Sequence, residues 1–400
     1  MLKGKSMTPE TSPTETQIPR RPRRHLLWIE AGIVVAIALL ILFAAPALLT
    51  AIGQEFRINM LGRFMALAIV ALGIDLIWGY TGMLSLGHGI FFSLGGYAWA
   101  MYLQLQLPEG ELPEFFTLYG VKELPKFWKP FHSLPFTLVA IILIPALIGA
   151  LLGYLVFRNR IRGVYFSILT QASLIVFFNF FNSQQKLING TNGLKTDTAK
   201  IFDVYAGSDD AQAIFYTLTV VFLVLAYIVC RWLTSGRIGK LLVAIRDDES
   251  RVRFSGYNPT GYKVLVFAVS AGIAGIAGAL YTVQSGIISP KSMDIAFSIE
   301  MVIWVAVGGR ASLVGAILGA LTVNFAKSIL SEQFPDIWLF FQGALFLVVV
   351  TVLPGGFVGW LRNEGQDLLR SLVGRPRRIM TYPSLAEDPE VEYERQNLRD

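Results

Sequence analysis

The chain has 400 residues, 54% hydrophobic and only 16% charged, with one cysteine, three histidines and a formal net charge of +6. Soluble domains carry about a quarter charged residues, so this balance, with a mean hydropathy of +0.55, excludes an ordinary soluble domain and points to a membrane protein. A single cysteine excludes an internal disulfide framework, scattered histidines give no support for a metal site, and basic residues dispersed through short polar gaps argue against a nucleic-acid partner.

Residues 1–25 are rich in Pro, Thr and Glu and end in Arg20-Arg21-Pro22-Arg23-Arg24-His25, the composition of a disordered tail with a basic membrane-proximal end. Leu26–Thr50 follows as an apolar run, too long for a signal peptide despite Ala45-Pro46-Ala47, and reads as the first span. Further spans fall near 59–79, 82–104, 135–157, 163–181, 212–233, 262–284, 296–309, 311–330 and 336–360. The stretch 296–309 is short and ends at Gly308-Gly309, as a half-length helix would. Ten spans put both termini on one side. With the N-terminus inside, the inner loops hold 11 Lys and Arg in 39 residues and the outer segments 8 in 85, which makes both termini cytoplasmic. The expected fold class is therefore all-α and polytopic, with about ten transmembrane helices. A cytoplasmic tail covers 1–25, a transmembrane domain 26–362, and a second cytoplasmic tail 363–400. Two outer loops are long: 105–134, with prolines and interfacial aromatics, and 182–211, with the turn sequence Asn189-Gly190-Thr191-Asn192-Gly193.

Small and polar residues within the spans mark helix packing or a pathway. Helices in lipid adhere by close backbone approach. Gly82, Ser85 and Gly89 are expected on one helical face, as are Ser93, Gly96 and Ala100, with Gly79–Gly82 as a bend before them. His88 reads as an interhelical hydrogen bond rather than a proton relay or ligand, and Ser85 with His88 lacks any hydrolase motif. Asp75 and Glu300 are candidates for buried polar networks, Arg63 and Lys327 for snorkelling at outer ends, and Asn324 for a polar group along a pathway. No catalytic or metal-binding residue is indicated.

The inner loop 235–259 carries Gly236, Arg237, Leu241, Leu242, Ala244 and Ile245 ahead of Arg246, Asp247, Asp248, Glu249, Arg251 and Arg253. It reads as a short helix with an apolar face and a charged rim, either a solvated surface or a docking element. No phosphate-binding loop occurs: Gly239-Lys240 is followed by Leu241, and Gly4-Lys5-Ser6 lacks the upstream glycine. The chain is not expected to be an enzyme, and any energy source belongs to a partner.

The runs WGYTGMLSLGHGIFFSLGGY, GRIGKLLVAIRDDESRVRFSGYNP, YKVLVFAVSAGIAGIAGALY and VAVGGRASLVGAILGA, in order across residues 55–362, resemble the branched-chain amino acid permease family of ABC importers. Within it, LPEFFTLYGVKELPKFW, TNGLKTD and SEQFPDIWLFFQGALF are similar to the larger permease subunit of urea transporters. The resemblance implies a bacterial inner membrane, a homologous second permease subunit, two ATPase subunits that bind the ATP, and a periplasmic substrate-binding protein. It also implies that 235–259 is the coupling element seated in an ATPase groove. Urea is the expected cargo, with branched-chain amino acids or short amides as the alternative and a stand-alone carrier or channel behind them.

Overall fold

The computed structural model describes residues 56–352 apart from 109–110, 202–203 and 335–336, together with isolated positions between 32 and 53 and residues 356–357. The two expected tails and most of the first expected span lie outside the described residues. From residue 59 onward, each expected span coincides with a helix over most of its described residues. These are α1 (Phe56–Thr81), α2 (His88–Gln104), α4 (Leu134–Arg158), α5 (Val164–Ser183), α7 (Asp209–Ser235), α9 (Pro259–Ser285), α10 (Ile295–Gly308), α11 (Leu313–Gln333) and α12 (Trp338–Val352). The short helices α3 (Glu114–Leu118) and α6 (Gln185–Ile188) lie in the two long loops, and α8 (Arg237–Phe254) fills the polar stretch between α7 and α9. Among the described residues, six helices are long and apolar enough to cross a membrane, and α10 is a shorter apolar one.

Local chemistry sets several boundaries. The Ala211 amide donates to the Ser208 hydroxyl ahead of α7, Thr260 N–H to the Asn258 side chain ahead of Pro259, and Gly315 N–H to the Ser312 hydroxyl at the start of α11. Helix α9 lies at the centre, against α1, α2 and α4, while α1 packs also on α7 and α11 and is almost wholly enclosed. Backbones meet directly at the α2–α9 crossing: a methyl group on Gly95 would collide with the Gly275 carbonyl, and one on Gly278 with the Phe92 carbonyl. Gly308 and Gly315 close the α10–α11 hairpin in the same way. Outward, α4 exposes Leu143, Leu147 and Leu151, and α5 exposes Tyr165, Ile168 and Val176, the apolar surface of a helix bundle in lipid.

The start of α2 departs from expectation. Gly82–Gly87 is not helical, so Gly82, Ser85 and Gly89 do not share a helical face. Gly82 takes φ +74°, a left-handed conformation that turns the chain out of α1. The backbone this frees is satisfied by α5: Leu86 N–H donates to Thr170 Oγ1 at 3.0 Å, and Ser167 Oγ donates to the Leu84 carbonyl at 2.6 Å. Irregular backbone inside a bundle persists where protein supplies such partners.

At the end of the bundle opposite α8, the two long loops fold onto each other. The expected all-α class is relieved by two short ladders. Strand β1 (Leu194–Lys195) pairs antiparallel with β4 (Ile287–Ile288), and β2 (Lys200–Ile201) with β3 (Val204–Tyr205). Trp128 Nε1 donates to the Leu187 carbonyl at 3.0 Å, tying one loop to the other, and Asn189 is left-handed at φ 57° in the expected turn.

Candidate functional site

Helix α8 stands outside the bundle. Gly236 caps it and Arg237 opens it; Gly239 leaves no room for a side chain because the Thr234 carbonyl of the preceding turn occupies the space. At Asp248 the backbone leaves the helical region (φ −155°, ψ 97°), so the element is two helices joined by a kink. Asp248 explains the restart: its Oδ1 accepts from Ser250 N–H at 2.9 Å and Arg251 N–H at 3.2 Å, as an N-cap does. Those backbone hydrogen bonds hold the Asp248 carboxyl below its ordinary range.

Glu249, next in sequence, is the hub. Its carboxylate meets Lys263 Nζ at 2.5 Å, Arg253 Nη2 at 2.8 Å and Arg162 Nε at 3.1 Å, with only 8% of its side chain exposed. Three elements thereby converge on one group: the loop before α5, α8 itself and the first turns of α9. Burial alone would raise the Glu249 carboxyl. The hydrogen bonds from Lys263 and Arg253, with the charges of Lys263 and Arg162, outweigh that and hold it below the ordinary range.

The expected docking face divides. Leu242 and Ile245 are buried against the chain's own core, which corrects the expectation that Ile245 faces a partner. Ala244 is exposed, and with Leu241, Asp247, Asp248, Arg251 and Tyr257 it lines a groove of about 390 Å³. Phe254, 92% exposed, stands at the end of α8. Five consecutive apolar residues, Leu241–Ile245, run all the way round a helix, so periodicity could not choose the outward side.

Arg246 connects this helix to the bundle. Its Nη1 donates to the Gly79 carbonyl at 2.8 Å, its methylenes rest against Gly82, and its Nε reaches Asp247 at 3.1 Å. Four residues before Gly79, Asp75 is wholly buried and accepts from the Ala311 N–H at 2.7 Å, in the turn between α10 and α11. Arg310 of that turn stacks over Trp78, 5.0 Å from the ring centre. A junction of α8, the end of α1 and the α10–α11 turn results. The sequence marks Asp75 as a buried polar group without naming its partner.

The remaining expected site residues lie within the bundle. His88 is buried, with Nδ1 3.1 Å from Ser85 Oγ and Nε2 2.8 Å from Ser270 Oγ. Ser270 Oγ donates to the Gly73 carbonyl at 2.6 Å, so it must accept from His88 Nε2–H, which leaves Nδ1 to accept from Ser85. His88 is thus a satisfied interhelical bridge, as expected. Gly89 abuts Ser298 and Gly96 abuts Thr282, both too closely for a side chain, and Ser93 is buried. Glu300 and Asn324 line one cavity at the opposite end of the bundle. There Lys327, expected to snorkel, instead places Nζ 2.7 and 2.8 Å from the two oxygens of Glu300. No group of three or more His, Cys, Asp or Glu side chains suited to a metal occurs among the described residues.

The profile of the family described as "Branched-chain amino acid transport system / permease component" matches residues 56–350. The high-affinity branched-chain amino acid transport system permease protein LivM of Salmonella typhimurium is 25% identical over 349 residues, covering 81% of this chain and 76% of that protein. LivH of Escherichia coli, a permease protein of the same kind of system, is 24% identical, covering 73% and 91%. The ribose import permease protein RbsC of Haemophilus influenzae is 25% identical, covering 57% and 71%. No solved structure matches the chain.

Proposed function

The chain belongs to the branched-chain amino acid transport permease family, and from that premise we propose that it is the membrane-spanning subunit of an ATP-driven importer in a bacterial inner membrane. The observation that carries the importer reading is α8: a kinked helix outside the bundle, braced by Glu249 and Arg246, with a mixed apolar and charged groove on its free side. Such an element is suited to docking a partner protein, which a carrier that works alone does not require. In an importer it seats in an ATPase subunit, and the chain, which contains no phosphate-binding loop, borrows its energy there. Two ATPase subunits, a homologous second permease and an external binding protein complete the assembly. In this reading α8 and both termini are cytoplasmic and the loops 105–134 and 182–211 external, which the distribution of Lys and Arg supports.

Urea is the cargo we assign, on the similarity of the outer loop, of Thr191–Asp197 and of Ser331–Phe346 to urea permeases. The second reading, a branched-chain amino acid, is favoured by the relatives named above. Uptake into vesicles containing the complete complex separates them. Labelled urea should enter only with ATP and the binding protein, and excess leucine should not compete. Strong competition by leucine moves the cargo to amino acids, and uptake without ATP overturns the importer reading itself.

A further inference from the structure

Charged residues are rare in the spans, yet three of them meet. Arg63 of α1, Glu300 of α10 and Lys327 of α11 line one cavity of about 210 Å³ at the end opposite α8. Asn324 and Ser328 of α11 join them, and Phe64, Leu67 and Phe297 form an apolar wall. The volume is below the range typical of drug-sized ligands, about 300–1,000 Å³, and suits a small solute.

The polar groups are not all spent. Glu300 is buried and engaged through both oxygens by Lys327, so its charge is already answered. Asn324 donates its amide N–H to the Ala320 carbonyl at 2.7 Å, which leaves its amide oxygen uncommitted. Arg63 Nε is buried without a hydrogen-bond partner among the described residues. Leaving a buried donor unmade is costly, and the same Arg63 side chain lines the cavity. Among the described residues two cations and one anion line the cavity, a lining that favours an oxygen acceptor over an ammonium group.

Building on the importer reading, we infer that this cavity is a cargo subsite, in which Arg63 holds a planar carbonyl or carboxylate oxygen and the Asn324 amide oxygen receives an adjacent N–H. Urea and the α-carboxylate end of an amino acid share that chemistry. The apolar wall accepts the carbon face of either. Arg63 then determines specificity by demanding the oxygen.

A thiol placed at the cavity tests this directly. The chain's own cysteine, Cys230, is fully buried, so Ser328→Cys supplies a reactive thiol that mass spectrometry of this chain can follow. In the complete complex, cargo at twice its dissociation constant should slow labelling about threefold, since the open fraction is 1/(1+[L]/Kd). Urea and leucine are the two probes: protection by urea alone identifies the carbonyl source, and protection by leucine alone the carboxylate. Protection should vanish with Arg63→Met and return in part with Arg63→Lys, and Ser331→Cys should report the same pattern from a second position. Labelling indifferent to both probes, or protection that survives Arg63→Met, overturns the subsite. ATP-dependent uptake by the unaltered complex is scored separately, so a failed subsite does not count against the importer reading, and uptake without ATP does not count against the subsite.

Discussion

Glu249 illustrates how one residue can hold an element in place. Replacing it with Ala leaves the buried Lys263 ammonium, itself over the Phe157 ring, without its anion. Breaking such a pair from one side costs about 3 kcal/mol or more, so the variant should show a clear loss of thermal stability in the purified complex, with Glu249→Gln losing less. The pH dependence has a definite sign. A carboxyl held below its ordinary value contributes its stabilisation above that value and loses it as pH falls through the folded one. The wild-type advantage over Glu249→Gln should therefore be full above about pH 4.5 and shrink below it. The charge cluster itself is plain in the sequence. That Arg162, from a distant loop, completes it is not, because nothing local to either segment encodes the approach. His88 is the opposite case: its lone position in an apolar, glycine-rich run already favours a bridge between helices, and the pairings with Ser85 and Ser270 bear that out.

Among the elements, α8 separates packing from docking within two adjacent residues. Ala244→Glu adds a charge to an exposed groove and should leave the melting of the isolated chain unchanged, while recovery of the ATPase subunits in a pull-down falls at least tenfold. An uncompensated charge desolvated in an interface costs several kcal/mol, and about 1.4 kcal/mol is already tenfold. Ile245→Glu should instead lower the melting temperature of the chain before any partner is added, because the site is 4% exposed. Undiminished recovery of the ATPases with Ala244→Glu would remove the groove from the interface. The helices themselves were legible because twenty-odd apolar residues leave few alternatives. The first turns of α2 were not. Apolar residues continue through Leu84 and Leu86, no side chain caps the helix at His88, and the hydrogen bonds that hold the non-helical Gly82–Gly87 backbone come from α5.

Across the whole molecule, α1 is the rod between the two ends. Arg63 and Gly79 are separated by 16 residues, or about 24 Å of helix. One end touches the cavity and the other receives Arg246 from α8 and offers Asp75 to the α10–α11 turn, which carries Glu300 and Lys327 back to that same cavity. A push on α8 thus has two rigid routes to the far end. Asp75→Ala cuts one of them. The complex should continue to hydrolyse ATP while uptake per ATP falls severalfold, measured in the same vesicles; full coupling would mean that the turn moves independently of α1. The non-helical segment before α2 also imposes an order in time. Leu86 waits for a partner 84 residues later in the chain, and at about 5–20 residues per second a ribosome takes roughly 4–17 seconds to deliver it. During that interval the nascent protein holds open backbone among its first helices, so a chain arrested before Val164 should leave a Leu84→Cys thiol reactive, and one arrested well beyond Ser183 should have sealed it.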